Sequence, residues 1–211
     1  MKKQIRVFLL LICLVLWSGN EYLLSGENFP LFTEWPEAAF EPLGKEEWRQ
    51  LLEQEGPWLV ISRHGKTAGQ AFTEMPKEEL EERRGERTLS EVGWREAQAA
   101  GEFLTGDEIS FTGVYASPLY RARDTARLVF GDFETWEPLR SGDAGLPGEE
   151  ELYARLETIF EEERREVWVT HSPNVADLLG VAAQEGQMFL LRWENGKIVL
   201  AATWRIDLAS E

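Results

Sequence analysis

Only two histidines occur in the chain, and each directly follows a short apolar run. The first lies in Trp58-Leu59-Val60-Ile61-Ser62-Arg63-His64-Gly65, the second in Glu166-Val167-Trp168-Val169-Thr170-His171-Ser172. A neutral imidazole nitrogen is a competent nucleophile toward phosphorus. The guanidinium of Arg63 beside it can grip phosphoryl oxygens in a bidentate fork, and Gly65 lets backbone approach a ligand closely. A further arginine, Arg121, stands in Ser117-Pro118-Leu119-Tyr120-Arg121-Ala122-Arg123-Asp124-Thr125-Ala126. Pro118 suits a helix entry, with Ser117 as its cap. Arg121 then falls in the first turns, near amide groups that favour anions, whereas Arg123 and Arg127 read as surface arginines of a solvated helix.

These groups need a scaffold that brings them together. Apolar runs of four to six residues that end in polar and small ones read as buried strands of a parallel sheet. Open α/β sheets bind ligands just beyond the carboxyl ends of such strands, so both imidazoles are expected at one sheet edge. The rest of the chain fits this plan. A short helix over 45–55 precedes a strand at 57–63, and Ser90 begins a helix to Leu104 with Gly93 as its weak point. Strands follow at 114–116 and 133–136, separated by a helix reaching Phe130. After a loop over 137–148 come a helix at 149–165, a strand at 166–170 and a helix at 173–180. Strands near 187–193 and 197–207 are joined by Asn195-Gly196, a hairpin signal. The expectation is a three-layer α/β/α fold with a mainly parallel central sheet.

Composition narrows the partners. The formal charge is −16 with 43% hydrophobic residues, enough apolar content for one sizeable core. Such a surface repels nucleic acid and other polyanions at long range. A local arginine cluster still dominates within a Debye length of roughly 8 Å, so a small phosphorylated substrate is compatible. The single cysteine, Cys13, excludes a disulfide framework and a Cys-based metal site. Lys2, Lys3 and Arg6 precede an uninterrupted apolar stretch over 7–17, the pattern of a secretory signal or short membrane anchor. Residues 1–24 are therefore expected to direct export, with possible attachment to the membrane. Residues 25–56 form a lead-in, broken by Pro30, Pro36 and Pro42, and 57–211 form the functional domain.

Taken together, Arg63-His64-Gly65, Ser117-Pro118-Leu119-Tyr120-Arg121 with Thr125-Ala126, and Thr170-His171 resemble the histidine phosphatase superfamily. That group includes cofactor-dependent phosphoglycerate mutases, acid phosphatases and phytases. Leu89-Ser90-Glu91-Val92-Gly93 resembles a helix start common in it, and the whole is similar to a small exported bacterial member of the phosphoglycerate mutase-like branch. The resemblance implies that His64 becomes phosphohistidine while Arg63, Arg121 and His171 surround the phosphoryl group. It implies a phosphate contact for Arg87 and a substrate-side place for Thr67, although Lys66 replaces the usual acidic residue of that motif. No metal or other cofactor is implied. For the general acid the sequence departs from the family pattern: the loop after the third strand lacks the glutamate of the mutase-like branch, and Ser172-Pro173 stands where other branches have an aspartate. Asp143 is the candidate, with Glu149, Glu150 and a residue of the 66–88 segment as alternatives. Asn174 reads as a brace for the helix after His171, and Glu185-Gly186 fits a sub-branch pattern.

The function expected is metal-independent phosphomonoester hydrolysis. A non-catalytic phospholigand sensor on the same scaffold and a phosphoryl mutase are the alternatives. A two-histidine metal hydrolase lacks the ligand spacing such a site needs.

Overall fold

Apolar strands alternate with amphipathic helices along the chain, and each helix covers one face of a central sheet. The computed structural model describes residues 41–68, 82–83, 85–104, 109–140, 149–194 and 197–206, which lie within one structural unit, Glu34–Glu211. The elements in order are α1 (Lys45–Glu53), β1 (Trp58–Arg63), α2 (Glu91–Leu104), β2 (Gly113–Ala116), α3 (Tyr120–Phe130) and β3 (Glu134–Thr135). A 3-10 turn at Glu137–Leu139 leads to α4 (Glu149–Glu161), β4 (Arg165–Thr170), α5 (Ser172–Leu179), β5 (Gln187–Glu194) and β6 (Lys197–Arg205).

The six strands are ordered β3-β2-β4-β1-β5-β6. The first four run parallel, whereas β5 runs antiparallel to both β1 and β6. β1 and β4 are buried along almost their whole length, as strands covered on both faces must be. One face packs Val60, Val167 and Met188 against Trp48 of α1, Ala97 of α2 and Ala126 of α3. The other carries Leu59, Ile61 and Trp168, under α4 and α5. This is the expected three-layer α/β/α architecture.

Boundaries moved where local geometry overrode periodicity. The helix expected at 149–165 stops at Glu161 because Glu163 takes a left-handed conformation, φ 53°, which turns the chain into β4. The third strand is only Glu134–Thr135 and both residues are exposed. The part of the lead-in that can be described is integral to the core. Leu43 donates its amide to the Thr203 carbonyl at 2.8 Å, and Trp48 stacks on Trp204 with centroids 6.0 Å apart. The expected N-terminal signal or anchor, the Asn195-Gly196 turn and Asp143 lie outside the described residues. Among the described residues, no helix is long and apolar enough to cross a membrane.

Helices α2 and α3 meet through Gly101. A Cβ there would sit 2.0 Å from the Leu128 carbonyl oxygen, so only glycine permits this approach. In an exposed helix interior, Gly→Ala is stabilising by up to about 1 kcal/mol. Here the sign should reverse: Gly101→Ala should destabilise the protein by about 1–3 kcal/mol, read as a lowered urea midpoint.

Candidate active site

The candidate site residues are positioned by where three neighbouring strands stop. In the parallel pairing of β1 with β4, Arg63 lies opposite Thr170, and the His64 amide extends the ladder by donating to the Thr170 carbonyl at 3.1 Å. His171 follows immediately on β4. The Ser117 amide extends the β2–β4 ladder in the same way, bonding the Val169 carbonyl at 2.9 Å. Ser117, His171 and His64 thus stand in a row along one edge, with the imidazole centroids 5.3 Å apart. All three are buried.

Hydrogen bonds assign the proton on each ring. His64 Nδ1 lies 2.9 Å from the Gly65 carbonyl oxygen, which can only accept. Nδ1 therefore carries the hydrogen and Nε2 keeps its lone pair. His171 Nε2 lies 2.8 Å from Ser117 Oγ, and that oxygen also accepts the Leu119 amide at 3.4 Å. Ser117 is fully buried and its hydroxyl has no other acceptor among the described residues, so its proton goes to His171 Nε2, which leaves Nδ1 as a donor. Both imidazoles are held neutral. Burial is the main cause for His64, whose pKa falls from 6.5 to about 4, with Arg121 and Arg63 adding to the effect against the Gly65 hydrogen bond. Burial also leads for His171, pushed to about 2, followed by Arg121, His64, Arg63 and Arg87. The neighbouring arginines depress the His64 pKa less than burial does.

Arg63 and Arg121 flank the rings. Arg63 Nη1 donates to the Ala183 carbonyl at 2.6 Å, and burial lowers the pKa of both guanidinium groups, Arg87 contributing to each. Among the described residues, the buried Arg63 Nε, Arg121 Nε and His171 Nδ1 have no protein partner. Buried donors are normally satisfied, so a cluster of orphans on these residues suits an anion. Arg87 is exposed yet near enough to act electrostatically on Arg63, Arg121 and His171.

Comparison with known proteins agrees with this geometry. The sequence profile of the histidine phosphatase superfamily (branch 1) matches residues 59–184. The chain belongs to the histidine phosphatase superfamily. Over 118 residues it is 32% identical to a 2,3-bisphosphoglycerate-dependent phosphoglycerate mutase of Rhizobium etli, covering 52% of this chain and 49% of the mutase. It is 36% identical over 83 residues to the fructose-2,6-bisphosphatase TIGAR of Xenopus laevis, covering 39% and 27% respectively. The chain thus spans about half or less of the curated relatives it matches. The fold is shared with the protein histidine phosphatase SixA complexed with tungstate (TM-score 0.53, 19% identity, 70% of this chain and 96% of the other). It is also shared with mycobacterial hydrolase 2 (TM-score 0.51, 19% identity, 74% and 95%).

Within this histidine phosphatase site, several side chains have roles that differ from the sequence expectation. Ser117 does not cap α3. The N-cap is Leu119, without a side-chain bond, and the Tyr120 amide is met instead by Glu86 Oε2 at 3.0 Å, while the Ser117 hydroxyl serves His171. Thr125 links α3 to the nucleophile loop: its Oγ1 accepts the Gly65 amide at 2.9 Å and donates to the Arg121 carbonyl at 2.8 Å. Lys66 forms a 2.5 Å ion pair with the buried Glu96 of α2. Gly93, the weak point of α2, is where that loop lies against the helix, since a Cβ there would be 2.1 Å from the Lys66 carbonyl oxygen. Ser90 caps α2, its Oγ accepting the Gly93 amide at 3.0 Å. Asn174 is a brace, donating to the Leu139 carbonyl at 2.9 Å and to Thr170 Oγ1 at 2.8 Å.

The residue that sequence reasoning underrated is Glu185. Its Oε1 accepts the Thr67 hydroxyl at 2.6 Å and lies 3.7 Å from Arg63 Nη2. Thr67 is thereby engaged with a carboxylate. The only sequence signal was the Glu185-Gly186 pair before an apolar strand. Among the described residues, no group of three or more His, Cys, Asp or Glu side chains is arranged to hold a metal ion.

The depressed pKa values carry a stability signature. Folding favours neutral imidazole, so this contribution is complete above the unfolded pKa of 6.5 and is lost as pH falls toward about 4 for His64. In that window the unfolded chain binds more protons, and stability falls with acid by up to about 1.4 kcal/mol per pH unit for each histidine. Replacing His64 by Gln should remove one such increment from the slope between pH 6.5 and 4, measured by urea denaturation against wild type.

Proposed function

We propose that the protein is a metal-independent phosphomonoester hydrolase that works through a phosphohistidine on His64. One observation carries the reading: the Gly65 carbonyl fixes the hydrogen on His64 Nδ1, so Nε2 offers its lone pair beside arginine side chains and a second neutral imidazole. Nε2 attacks phosphorus as the ester P–O bond breaks, and the leaving oxygen keeps the bonding electron pair and takes a proton from solvent. Arg63, Arg121 and His171 Nδ1 neutralise charge on the three equatorial oxygens, while Arg87 adds to the field that draws the anion in. Water then cleaves the P–N bond, which releases phosphate and returns His64 to its starting tautomer.

The substrate is a small phosphorylated molecule. The phosphatases and the mutase among the relatives support that class, and the strongly acidic chain argues against polyanionic partners. Export belongs to the same proposal and rests on the basic and apolar pattern of residues 1–24.

Turnover of p-nitrophenyl phosphate by the purified protein should be insensitive to EDTA. His64→Ala should abolish it, and Arg121→Ala should lower kcat/KM by about 100-fold or more. Retention of more than a few per cent of the wild-type rate by His64→Ala would rule out the nucleophile assignment. Phosphate binding without turnover in the wild type would favour the sensor reading instead.

A further inference from the structure

The loop between α5 and β5 brings one carboxylate to the edge of the phosphoryl pocket. Three contacts lock this loop to the nucleophile segment. Arg63 Nη1 donates to the Ala183 carbonyl at 2.6 Å, the Gly186 amide donates to the His64 carbonyl at 2.9 Å, and Thr67 holds Glu185. The positive φ of Gly186, 75°, lets the backbone turn from this loop into β5. Glu185 therefore has a fixed position relative to His64, although it is distant from it in sequence.

We propose that Glu185 is the general base that activates water for hydrolysis of phosphorylated His64. The proposal rests on the phosphohistidine reading above and names the group that completes its second step. Glu185 lies 3.7 Å from Arg63 Nη2, the guanidinium that grips phosphoryl oxygens in that reading, so it borders the phosphoryl group. Its Oε1 is occupied by the Thr67 hydroxyl, but among the described residues Oε2 has only the long Thr67 amide contact of 3.4 Å. A carboxylate oxygen accepts two hydrogen bonds, which leaves Oε2 capacity for water, and the side chain is 26% exposed. Among the described residues, the other carboxylates near the nucleophile loop and α3 are committed: Glu86 to the Tyr120 amide, Glu96 to Lys66 and Asp124 to Arg83.

The carboxylate is also in the right ionic form. Burial alone would raise its pKa, but the two hydrogen bonds from Thr67 and the nearby His64 and Arg63 outweigh it and hold Glu185 below the usual carboxylate range. In the step itself, Glu185 takes a proton from water as the new O–P bond forms. The electron pair of the P–Nε2 bond returns to Nε2. The products are neutral His64 with its hydrogen still on Nδ1, hydrogen phosphate and protonated Glu185, which then loses its proton to solvent.

Rapid-quench kinetics of the full chain with p-nitrophenyl phosphate separates the two steps. In Glu185→Gln, phosphohistidine should form at a rate within about threefold of wild type, while its hydrolysis should slow by about 100-fold and the phosphoenzyme accumulate. In Glu185→Ala, added formate should restore hydrolysis in proportion to its concentration, which a purely structural role would not allow. The proposal is overturned if hydrolysis in Glu185→Gln stays within threefold of wild type, or if both steps slow alike. It is also overturned if formate has no effect. A wild-type protein that turns over substrate without forming phosphohistidine would instead overturn the underlying mechanism, and the role assigned to Glu185 with it.

Discussion

The pairing of β1 with β4 is the constraint on which the site depends. The two histidines belong to distant stretches of chain and share no local element, yet one parallel ladder fixes their separation. Its register follows from burial: Val60 pairs with Val167 and Ile61 with Trp168, so each face receives apolar groups from both strands. A slip of one residue would turn the apolar side chains of one strand away from their own layer. The same slip would move His171 away from His64, so the packing that stabilises the sheet also sets the catalytic geometry. β2 adds a third strand end in the same row, and the Ser117 hydroxyl reaches His171 without any contribution from helix capping.

That edge gathers several unpartnered polar groups in one place. Elsewhere, Glu166 is satisfied in a compact network by Arg155 and Trp168, while the indole nitrogens of Trp48 and Trp58 are scattered single exceptions among the described residues. At the strand ends, buried nitrogens of Arg63, Arg121 and His171 lack partners among the described residues, and the two imidazoles, held neutral, lower stability once pH falls below 6.5. Sites of this kind are where local consistency yields to function. The cationic character is local: the chain carries −16 overall, and the guanidinium groups act at distances over which screening is incomplete. In the proposed reaction a small phosphomonoester reaches them, while the net charge of −16 opposes an extended polyanion.

Much of this was legible before any coordinates. An apolar run ending in His64 or His171 identifies a covered strand and the side chain just past its end, and Ser90 was read correctly as the start of a helix because capping is local. The Ser117 assignment failed because a serine before Pro118 satisfies the same local pattern whether its hydroxyl turns to the helix or across the sheet. The partner that decides the matter, His171, is supplied by the strand ladder. Lys66 was legible only as a departure from a motif, since its partner Glu96 is an acidic residue on the buried side of α2, where periodicity predicts an apolar one. Glu185 was the hardest to read. The hairpin signal foretells β5 and β6 as a pair but gives no hint that β5 flanks β1, and it is that pairing, Ser62 opposite Met188, that brings Glu185 to the nucleophile.

A carboxylate beside a phosphate-binding guanidinium looks counterproductive until product release is considered. Arginine side chains and a donor imidazole that stabilise a transferring phosphoryl group would also bind inorganic phosphate, and uniform binding of this kind lowers KM without raising kcat. Glu185 competes with the bound anion for Arg63. In the free enzyme it restores part of the charge balance, which lessens the cost of gathering Arg63, Arg87 and Arg121 at one edge. When phosphate is bound, the same carboxylate repels it. The Thr67 hydrogen bonds keep Glu185 ionised and in place, so this repulsion is built into the fold and does not depend on a moving segment. In the proposed reaction, holding Glu185 at Arg63 thus weakens the resting grip on phosphate and favours release of the product.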